Sequence, residues 1–302
     1  MNEPLPTLKQ LRHFAALAEH KHFGRAAAAC FVTQSTLSAS LKELEEILQA
    51  PLVDRTKRQV LLTPLGEEIL GRARRLLDEA RDLTLAAQAA REPLTGTVRL
   101  GVIPTIGPFL LPRILPGLRA AYPKLKLYLR EEQTAALVEK LHGGQLDVLL
   151  IALPYDCGNV ESAALFNDRF SLALLRDHPL AKQKRIEASA ARRVTLLLLE
   201  DGHCLRDHAL SACRIGAKAH AEAFEATSLP TLVQMAANGL GVTLLPQLAI
   251  DGGILAGSNL VTRPLAVDEP WREIALVWRK GTGRREEFQL LAKEIRKLAK
   301  ES

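Results

Sequence analysis

Helical spacing of apolar side chains dominates the first fifty residues. Apolar positions recur at steps of three and four in three blocks, which predicts helices over 7–20, 25–30 and about 34–48. Gly24 breaks the pattern between the first two blocks, and residues 31–33 form a turn before the third. Two short helices joined by a turn of three or four residues describe a helix-turn-helix. The N-terminal region is therefore predicted to be all-α.

The third predicted helix begins with uncharged polar side chains. It is expected to expose Gln34, Ser35, Thr36, Ser38 and Ser40, while its leucines face inward. Side chains of this kind reach base edges and phosphates when a helix lies in the major groove of DNA. A solvated helix face with a capping cluster is the alternative interpretation.

A stretch with apolar flanks and a basic centre follows at 51–62. Its centre carries Arg55, Lys57 and Arg58, which predicts a β-hairpin whose tip meets phosphate groups. The hairpin and the preceding helices together predict a winged helix-turn-helix DNA-binding domain over residues 1–62. Affinity for DNA is expected to depend on this local basic patch.

A long helix is predicted over 63–92. Thr63 is placed as its N-cap and Pro64 at its first helical position, and breakers from Glu92 to Gly96 end it. A heptad seam of apolar residues follows its length: Ile69, Ala73, Leu76, Ala80, Leu83, Ala87 and Ala90. Such a seam predicts a coiled-coil dimer, which would read two half-sites of a near-palindromic DNA site. Packing within one chain is the alternative.

From residue 97 onward, short apolar strands alternate with helical blocks. This alternation predicts a mostly parallel sheet with helices on its faces. The pattern repeats after about residue 160, a late strand at 274–278 returns to the first half, and a helix over 286–300 closes the chain. The predicted fold class is thus α/β behind an all-α winged helix-turn-helix.

The regulatory region is placed at 93–302 and consists of two Rossmann-like subdomains of the periplasmic-binding-protein kind. Subdomain I covers about 97–160 and 269–302, and subdomain II covers about 161–268. Ligands of open α/β sheets bind at the carboxyl ends of strands. That rule places a ligand near Thr105, Thr134 and the turn after Leu199.

Composition narrows the class of protein further. The chain has 302 residues, a net charge of +6 and four cysteines. It contains no apolar run of the roughly 18 residues that a membrane span needs, and its N-terminus lacks a signal pattern. A cytoplasmic location without membrane contact is expected. Four cysteines are too few for a disulfide scaffold, and in a reducing cytosol a disulfide is transient. The positive charge favours polyanionic partners only mildly.

Two cysteines near residue 200 carry the candidate chemistry. Cys204 follows His203 directly and precedes Arg206 by two residues, so its thiol pKa is expected to be lowered and the thiol to be nucleophilic. Cys213 has bland neighbours and suits a resolving partner. Two buried, inert thiols are the alternative. Nine residues of helix would span about 13 Å, whereas a disulfide joins Cα atoms about 4.4–6.8 Å apart. A helical spacer must therefore be remodelled if the two cysteines pair.

Several segments resemble the LysR-type transcriptional regulators over essentially the whole chain. They are Phe-Gly-Arg-Ala-Ala at 23–27, Val-Thr-Gln-Ser-Thr-Leu-Ser at 32–38, Leu-Lys-Glu-Leu-Glu at 41–45 and Gly-Leu-Gly-Val-Thr-Leu-Leu-Pro at 239–246. Residues 101–112 and 200–207, with Cys213 following, look like the peroxide-sensing members of that family.

The resemblance implies a transcriptional activator that senses hydrogen peroxide through a reversible disulfide. In it Cys204 would be the peroxidatic cysteine and Cys213 the resolving one. The family's peroxide pocket carries over to Thr105, Thr134, His203 and Arg272. The resemblance also implies a homodimer or homotetramer, RNA polymerase as a partner, and glutaredoxin or thioredoxin as the reductant. Neither a cofactor nor a metal is implied, and the protein is expected not to be an enzyme.

The sequence departs from the family pattern at two positions. Ser35 stands where many relatives carry proline, and Ala212 stands where peroxide sensors often carry an aromatic residue. Cys30 and Cys157 lie outside the redox pair and are interpreted as structural.

The main alternative function is that of a LysR-type regulator that binds a small metabolite in its cleft. A thiol peroxidase is disfavoured by the DNA-binding domain.

Overall fold

The computed structural model describes residues 4–55, 60–89, 92–191, 193–212, 225–266 and 271–301. Three residues that the sequence singled out, Lys57, Arg58 and Cys213, lie outside these ranges, as does Ala90 of the predicted seam. The chain forms two compact units. The first consists of Met1–Ala90 and His142–Gly144, and the second of Arg91–Leu141 and Gln145–Ser302.

The first unit begins with the three predicted helices, which are confirmed. They are α1 (Leu8–His20), α2 (Phe23–Ala29) and α3 (Gln34–Leu48). Gly24 does not separate the first two helices as the sequence indicated, because it is the second residue of α2. The His22 ring accepts the N–H of Arg25 at 3.3 Å and caps the helix, which begins two residues earlier than the apolar pattern suggests.

Helix α1 begins with a reciprocal capping box. The Thr7 hydroxyl accepts the N–H of Gln10, and the Gln10 side chain accepts the N–H of Thr7 at 2.8 Å. The apolar faces of the three helices form the core of the unit. Its fully buried members are Phe14, Leu17, Leu37, Leu41 and Leu44. The spacing of apolar residues thus determined which helix faces turn inward.

A two-stranded hairpin follows α3, as predicted. Strands β1 (Val53–Arg55) and β2 (Val60–Leu62) pair antiparallel. The carboxylate of Glu45 on α3 accepts the N–H groups of Leu52 and Val53 at 2.8 and 3.2 Å, so the hairpin leaves α3 at a defined angle. The tip at 56–59 lies outside the described residues.

Helix α4 (Pro64–Ala89) follows β2. The Thr63 hydroxyl accepts the N–H of Gly66 at 2.9 Å, which confirms Thr63 as the N-cap. Ala73 packs in the core of the first unit, whereas Leu76 and Leu83 are 54% and 76% exposed. These two members of the predicted seam are therefore accessible in the single chain, and the coiled-coil dimer stays a prediction.

The second unit is built on a mixed sheet of nine strands. Its strands are β3 (Gly96–Val102), β4 (Leu125–Glu131), β5 (Val148–Leu153), β6 (Val160–Leu175), β7 (Leu196–Leu199), β8 (Glu225–Ala226), β9 (Val242–Pro246), β10 (Leu260–Pro264) and β11 (Trp271–Arg279). Its helices are α5 (Gly107–Ala121), α6 (Thr134–His142), α7 (Ala188–Ala191), α8 (Cys204–Ala212), α9 (Leu229–Ala237), α10 (Gln247–Asp251) and α11 (Arg285–Glu301).

The strand order of the sheet is β4-β3-β5-β11-β6-β9-β7-β8, and β10 pairs with β6. Strand β3 is parallel to β4 and β5, and β7 is parallel to β8 and β9. Strands β6 and β11 run antiparallel to their neighbours. The predicted α/β class with two subdomains is confirmed, but the sheet is mixed rather than mostly parallel. The reason is that two long strands cross between the halves.

Strand β6 joins two separate hydrophobic cores. Leu165, in its first part, packs with the core formed by β3, β5, β11, α5 and α11. Phe170 and Leu172, further along, pack with the core formed by β7, β9 and α9. The apolar run at 170–175 predicts only the last part of β6, because the ten residues before it are mostly small, polar or charged and lack a regular apolar pattern. Strand β10 and the short helix α10 were also missed. Among the described helices, none combines the length and apolar character that crossing a bilayer demands.

Candidate functional site

A tight turn leads into the helix that carries Cys204. Strand β7 is buried throughout, and the chain turns at 200–203 before α8 begins at Cys204. Gly202 has φ +95°, and a Cβ at this position would lie 2.7 Å from Oε1 of Gln133. Glycine is favoured here by the positive φ, and the Gln133 side chain packs directly against it. The turn therefore holds the start of α8 against the loop before α6.

Cys204 is 5% exposed. Burial raises the pKa of its thiol, because the thiolate loses its hydration. The charge of Arg272, the hydroxyl of Thr134 and the N–H of Leu205 act against burial and lower the pKa, while Asp207 raises it. The net direction is upward, so the protonated thiol is the main form near neutral pH. The site thus holds a protected thiol with three groups placed to favour its ionised form.

The two sequence neighbours expected to activate Cys204 do not do so. Burial lowers the pKa of His203, so the ring is neutral near pH 7, and its Nε2 lies 3.8 Å from Oε1 of Glu200. Arg206 pairs with Asp201 at 2.9 Å and donates to the Leu199 carbonyl. Arg206 is thus occupied by the turn, and His203 carries no charge that could stabilise a thiolate. The prediction that they lower the thiol pKa is wrong, and Arg272 and Thr134 take that role.

Arg272 is fully buried in a hydrogen-bonded network. Its Nη1 donates to the Thr105 hydroxyl at 2.7 Å, and its Nη2 donates to the Thr105 carbonyl at 3.0 Å. Its Nε and Nη2 both donate to Oδ2 of Asp168, at 3.1 and 3.0 Å. The structure therefore brings together Thr105 and Arg272, two predicted pocket residues, and adds Asp168, which the sequence missed. Asp168 is followed directly by Arg169, and two adjacent charged residues suggest an exposed segment. The sequence therefore gave no indication that the Asp168 carboxylate is buried.

Thr134 is the first residue of α6 and is 1% exposed. Within the described residues its hydroxyl oxygen has no hydrogen bond of ordinary geometry, yet it lies close enough to Cys204 to favour the thiolate. A buried hydroxyl without a full set of partners is costly unless a ligand or water satisfies it. Thr134 is therefore placed to bind a small polar molecule beside the sulfur.

The loop after β5 approaches the other side of α8. Nε2 of His208 lies 3.2 Å from the Pro154 carbonyl, which links α8 to this loop. Burial raises the pKa of Cys157, in the same loop, to about 11, with Asp156 and Cys204 adding to the shift. Burial also raises the pKa of Cys30. Both cysteines are buried and protonated at neutral pH, as Cys204 is, and their interpretation as structural thiols stays a prediction.

The pairing of Cys204 with Cys213 stays a prediction, because Cys213 lies outside the described residues. Helix α8 occupies the nine residues from Cys204 to Ala212. The helical spacer that the sequence indicated between the two cysteines is therefore confirmed.

The first turn of α3 presents most of the predicted DNA-binding side chains. Gln34, Ser35 and Thr36 are exposed, and Ser38 is half-buried. Ser40 is 7% exposed, so its predicted exposure is wrong. It lies on the same face as Leu37 and Leu44, which the helical repeat turns toward the core. Arg55 belongs to β1, but its side chain lies outside the description.

The described residues do not bring together three or more histidine, cysteine or acidic side chains in an arrangement that would hold a metal ion. The candidate functional residues are thus a buried thiol with its polar neighbours and an exposed polar helix start. The two lie in different compact units.

Comparison with known proteins assigns this architecture to a family. Residues 8–67 match the bacterial regulatory helix-turn-helix proteins of the lysR family, and residues 91–300 match the LysR substrate binding domain. The chain belongs to the LysR family of regulators.

Among its relatives is the probable hydrogen peroxide-inducible genes activator of Streptomyces viridosporus, 45% identical over 292 residues, or 96% of this chain and 94% of the relative.

Two solved structures extend the comparison. A full-length cysteine-to-aspartate variant of OxyR from Pseudomonas aeruginosa has a TM-score of 0.80 and 37% identity, and the match covers 97% of this chain and 95% of that one. A cysteine-to-serine variant of Corynebacterium glutamicum OxyR with hydrogen peroxide bound has a TM-score of 0.69 and 36% identity, covering 99% and 94%. The chain is therefore similar to peroxide-responsive regulators over nearly its whole length.

Proposed function

We propose that this LysR-family protein is a DNA-binding transcriptional activator that senses hydrogen peroxide through Cys204. The observation that carries the proposal is the burial of one thiol beside Thr134 and within the field of the buried Arg272. A protected thiol of this kind reacts only with a molecule small enough to enter and polar enough to bind there. Hydrogen peroxide meets both conditions, and relatives named for their response to peroxide support it.

The first chemical step is a nucleophilic displacement on peroxide. The Cys204 thiolate attacks one oxygen, a sulfur–oxygen bond forms, the oxygen–oxygen bond breaks, and the other oxygen leaves as hydroxide. Arg272 stabilises the negative charge on that oxygen with a donor that is already in place. Thr105 and Thr134 orient the peroxide with hydroxyl groups that both donate and accept hydrogen bonds. His203 stays neutral and holds the turn before α8.

The second step forms the disulfide. The Cys204 sulfenic acid condenses with the thiol of Cys213, and one water molecule leaves. A disulfide needs a Cα separation of about 4.4–6.8 Å, whereas nine helical residues span about 13 Å. Helix α8 must therefore unwind or fold back when the bond forms. This refolding is the switch, because a covalent bond then selects one of two conformations of the segment.

The DNA-binding part of the proposal rests on the first unit. Gln34, Ser35, Thr36 and Ser38 contact the operator, and phosphate is bound by the hairpin residues Arg55, Lys57 and Arg58. Dimers form through the exposed seam of α4 and associate into tetramers. The oxidised form recruits RNA polymerase, and glutaredoxin or thioredoxin reduces it again. On this proposal the protein acts in the cytoplasm and does not turn over substrate as an enzyme.

Peptide mass spectrometry tests the redox chemistry directly. Trypsin cleaves after Arg193, Arg206 and Arg214, so Cys204 and Cys213 fall on separate peptides, 194–206 and 207–214. Folded protein treated with equimolar hydrogen peroxide is expected to yield these two peptides joined by a disulfide. Absence of the linked pair from protein that has remained folded would refute the proposal.

The Cys204→Ser variant is the matched control for the linkage. It is expected to lose the peroxide response completely and to bind DNA, when reduced, as the wild-type protein does. Footprinting of reduced and oxidised wild-type protein on the gene's own upstream region should show different contacts. A stable metabolite that binds with both cysteines blocked, and shifts the footprint in the same way, would favour the rival function instead.

A further inference from the structure

Asp168 is the acidic residue at the centre of the buried network around Arg272. It has no part in the two chemical steps of the proposed function. It lies on β6, directly opposite Arg272 on β11 in the antiparallel register. Its side chain is 1% exposed, and that of Arg272 is 0% exposed. Side chains that face each other across two strands are held on the same side of the sheet. The two charges are therefore paired by the backbone itself.

The hydrogen bonds of Arg272 leave a single donor unused among the described residues. A guanidinium group has five N–H donors in a fixed planar arrangement. Asp168 accepts from Nε and Nη2, and Thr105 accepts from Nη2 through its carbonyl and from Nη1 through its hydroxyl. The remaining N–H is on Nη1, the nitrogen beside the Thr105 hydroxyl. The network thus selects which donor is left for a ligand.

Asp168 itself has no freedom to release Arg272. Its Oδ2 accepts the two guanidinium hydrogen bonds, and its Oδ1 accepts the N–H of Leu248 at 2.9 Å. Leu248 is the second residue of α10 and packs with the first hydrophobic core, while the next residue, Ala249, packs with the second. The helix that holds Oδ1 therefore contacts both cores. Rotation of the carboxylate would break all three bonds in the buried interior, where unpaired polar groups are costly.

The same carboxylate opposes the charge of Arg272. The guanidinium stabilises the Cys204 thiolate, and a negative charge about 3 Å from it weakens that effect. Asp168 therefore has two consequences of opposite sign for the reactivity of Cys204. It fixes the N–H group of Arg272 that stabilises the departing hydroxide. It also lowers the fraction of Cys204 that is ionised before peroxide binds.

We propose that Asp168 is a positioning residue that makes Cys204 selective for peroxide over other electrophiles. This inference rests on the proposed function of Cys204. An alkylating agent needs only the thiolate, so Asp168 slows its reaction with Cys204. Peroxide also needs a fixed donor for the departing oxygen, so Asp168 accelerates that reaction. Selectivity arises because one side chain holds the donor in place while it suppresses general thiol reactivity.

The test compares two reactions of Cys204 in the full-length Asp168→Asn variant. Alkylation by iodoacetamide and oxidation by hydrogen peroxide are each timed by mass spectrometry of peptide 194–206, which contains Cys204 alone among the cysteines. Alkylation is expected to become about threefold to tenfold faster, because a lower thiol pKa gives proportionally more thiolate. Oxidation is expected to become about tenfold slower or more, because the donor is no longer fixed.

A change of both rates in the same direction, or no change in either, would overturn the inference. General loosening of the fold would expose the buried Cys157 as well, and peptide 141–169 reports its alkylation separately. If Cys157 becomes reactive in Asp168→Asn, the Asp168→Glu variant distinguishes a loosened fold from a displaced donor. Glutamate keeps the charge but shifts the carboxylate, so oxidation should slow while alkylation stays at the wild-type rate. Oxidation at the wild-type rate in a folded Asp168→Glu variant would contradict the proposal.

The outcome for wild-type protein separates this inference from the proposed function. If Cys204 of the wild type is not oxidised by equimolar peroxide, the sensing function fails and the role of Asp168 fails with it. If the wild type is oxidised and the two rates of Asp168→Asn do not diverge, only the role of Asp168 is wrong.

Discussion

Helices α3 and α8 both begin with residues proposed to carry function, yet their first turns are built in opposite ways. At the start of α3, the Thr33 hydroxyl accepts the N–H of Thr36 at 3.2 Å, and Gln34 and Ser35 are exposed. At the start of α8, Cys204 is 5% exposed. The groups around it come from distant strands and helices. One helix start is capped by its own sequence and faces solvent, while the other is completed by tertiary contacts.

The difference follows from the size of the ligand. DNA is larger than the helix that reads it, so contacting side chains must project outward and each contributes separately. Peroxide is smaller than a side chain, so its site must be enclosed and several groups must act on the same two oxygens. Substitutions around α8 are therefore expected to have larger effects, and to be less additive, than substitutions in the first turn of α3.

The largest effect is expected for Thr105→Val. This change removes the hydroxyl that orients Nη1 of Arg272 and that binds peroxide, while it keeps the shape of the side chain. The rate of Cys204 oxidation should fall about 100-fold, as when one preorganised donor is lost from an enzyme site. Mass spectrometry of peptide 194–206 after timed exposure to peroxide measures this rate.

Thr262→Val is the matched control, because Thr262 is a half-buried threonine on β10, which pairs with β6 in the second half of the sheet. It should be oxidised at Cys204 as fast as the wild type. Equal rates in Thr105→Val and Thr262→Val would show that the buried network around α8 does not act on peroxide.

A smaller effect is expected for Gln34→Ala at the start of α3. Loss of one direct base contact costs about 1–3 kcal/mol of binding free energy. Affinity for the operator should fall by that amount in the reduced and in the oxidised protein alike, because Gln34 belongs to a different unit from Cys204. Fluorescence anisotropy with the footprinted upstream DNA measures both affinities at one salt concentration.

Gln183→Ala provides the control for DNA binding, since Gln183 is an exposed glutamine of the second unit. Its affinity should equal that of the wild type. A loss of affinity by Gln34→Ala in only one redox state would mean that the first turn of α3 is not an independent contact surface.

The smallest effect concerns pH and the histidines of both units. Burial lowers the pKa values of His13, His203 and His208 below the value of 6.5 that they have in an unfolded chain. The unfolded state therefore binds more protons below that pH, and the free energy of unfolding falls as the pH drops below about 6.5. Urea unfolding at pH 7.5 and 5.5 should show a decrease on the order of 1 kcal/mol.

His13→Leu should reduce this decrease. Within the described residues, both ring nitrogens of the buried His13 lack a hydrogen-bond partner, so an apolar replacement leaves no group unsatisfied. The variant should be at least as stable as the wild type at pH 7.5. A dependence on pH as steep as that of the wild type would show that His13 does not contribute to it.

Local patterns predicted the elements of the fold better than their connections. The helices of the first unit, the hairpin and the N-cap at Thr63 follow from residues near each other in the chain, and the structure confirms them. Strand β6 was predicted at less than half its length. Its first part consists mostly of small, polar and charged residues without a regular apolar pattern, and among the described strands it pairs only with β11, more than a hundred residues later.

The sequence by itself determined the family motifs and the turn that carries Cys204 away from a buried strand, and the family resemblance implied Thr105, Thr134 and Arg272 as its companions. Only the tertiary structure decided which groups act on the thiol. Sequence neighbours pointed to His203 and Arg206, but His203 is neutral near pH 7 and Arg206 pairs with Asp201 in the turn. Electrostatic interactions depend on distance through space, and side chains adjacent in the chain diverge at the start of a helix. Arg272 therefore acts on the thiol from β11, a strand far from Cys204 in the sequence, and β6 pairs Asp168 with Arg272.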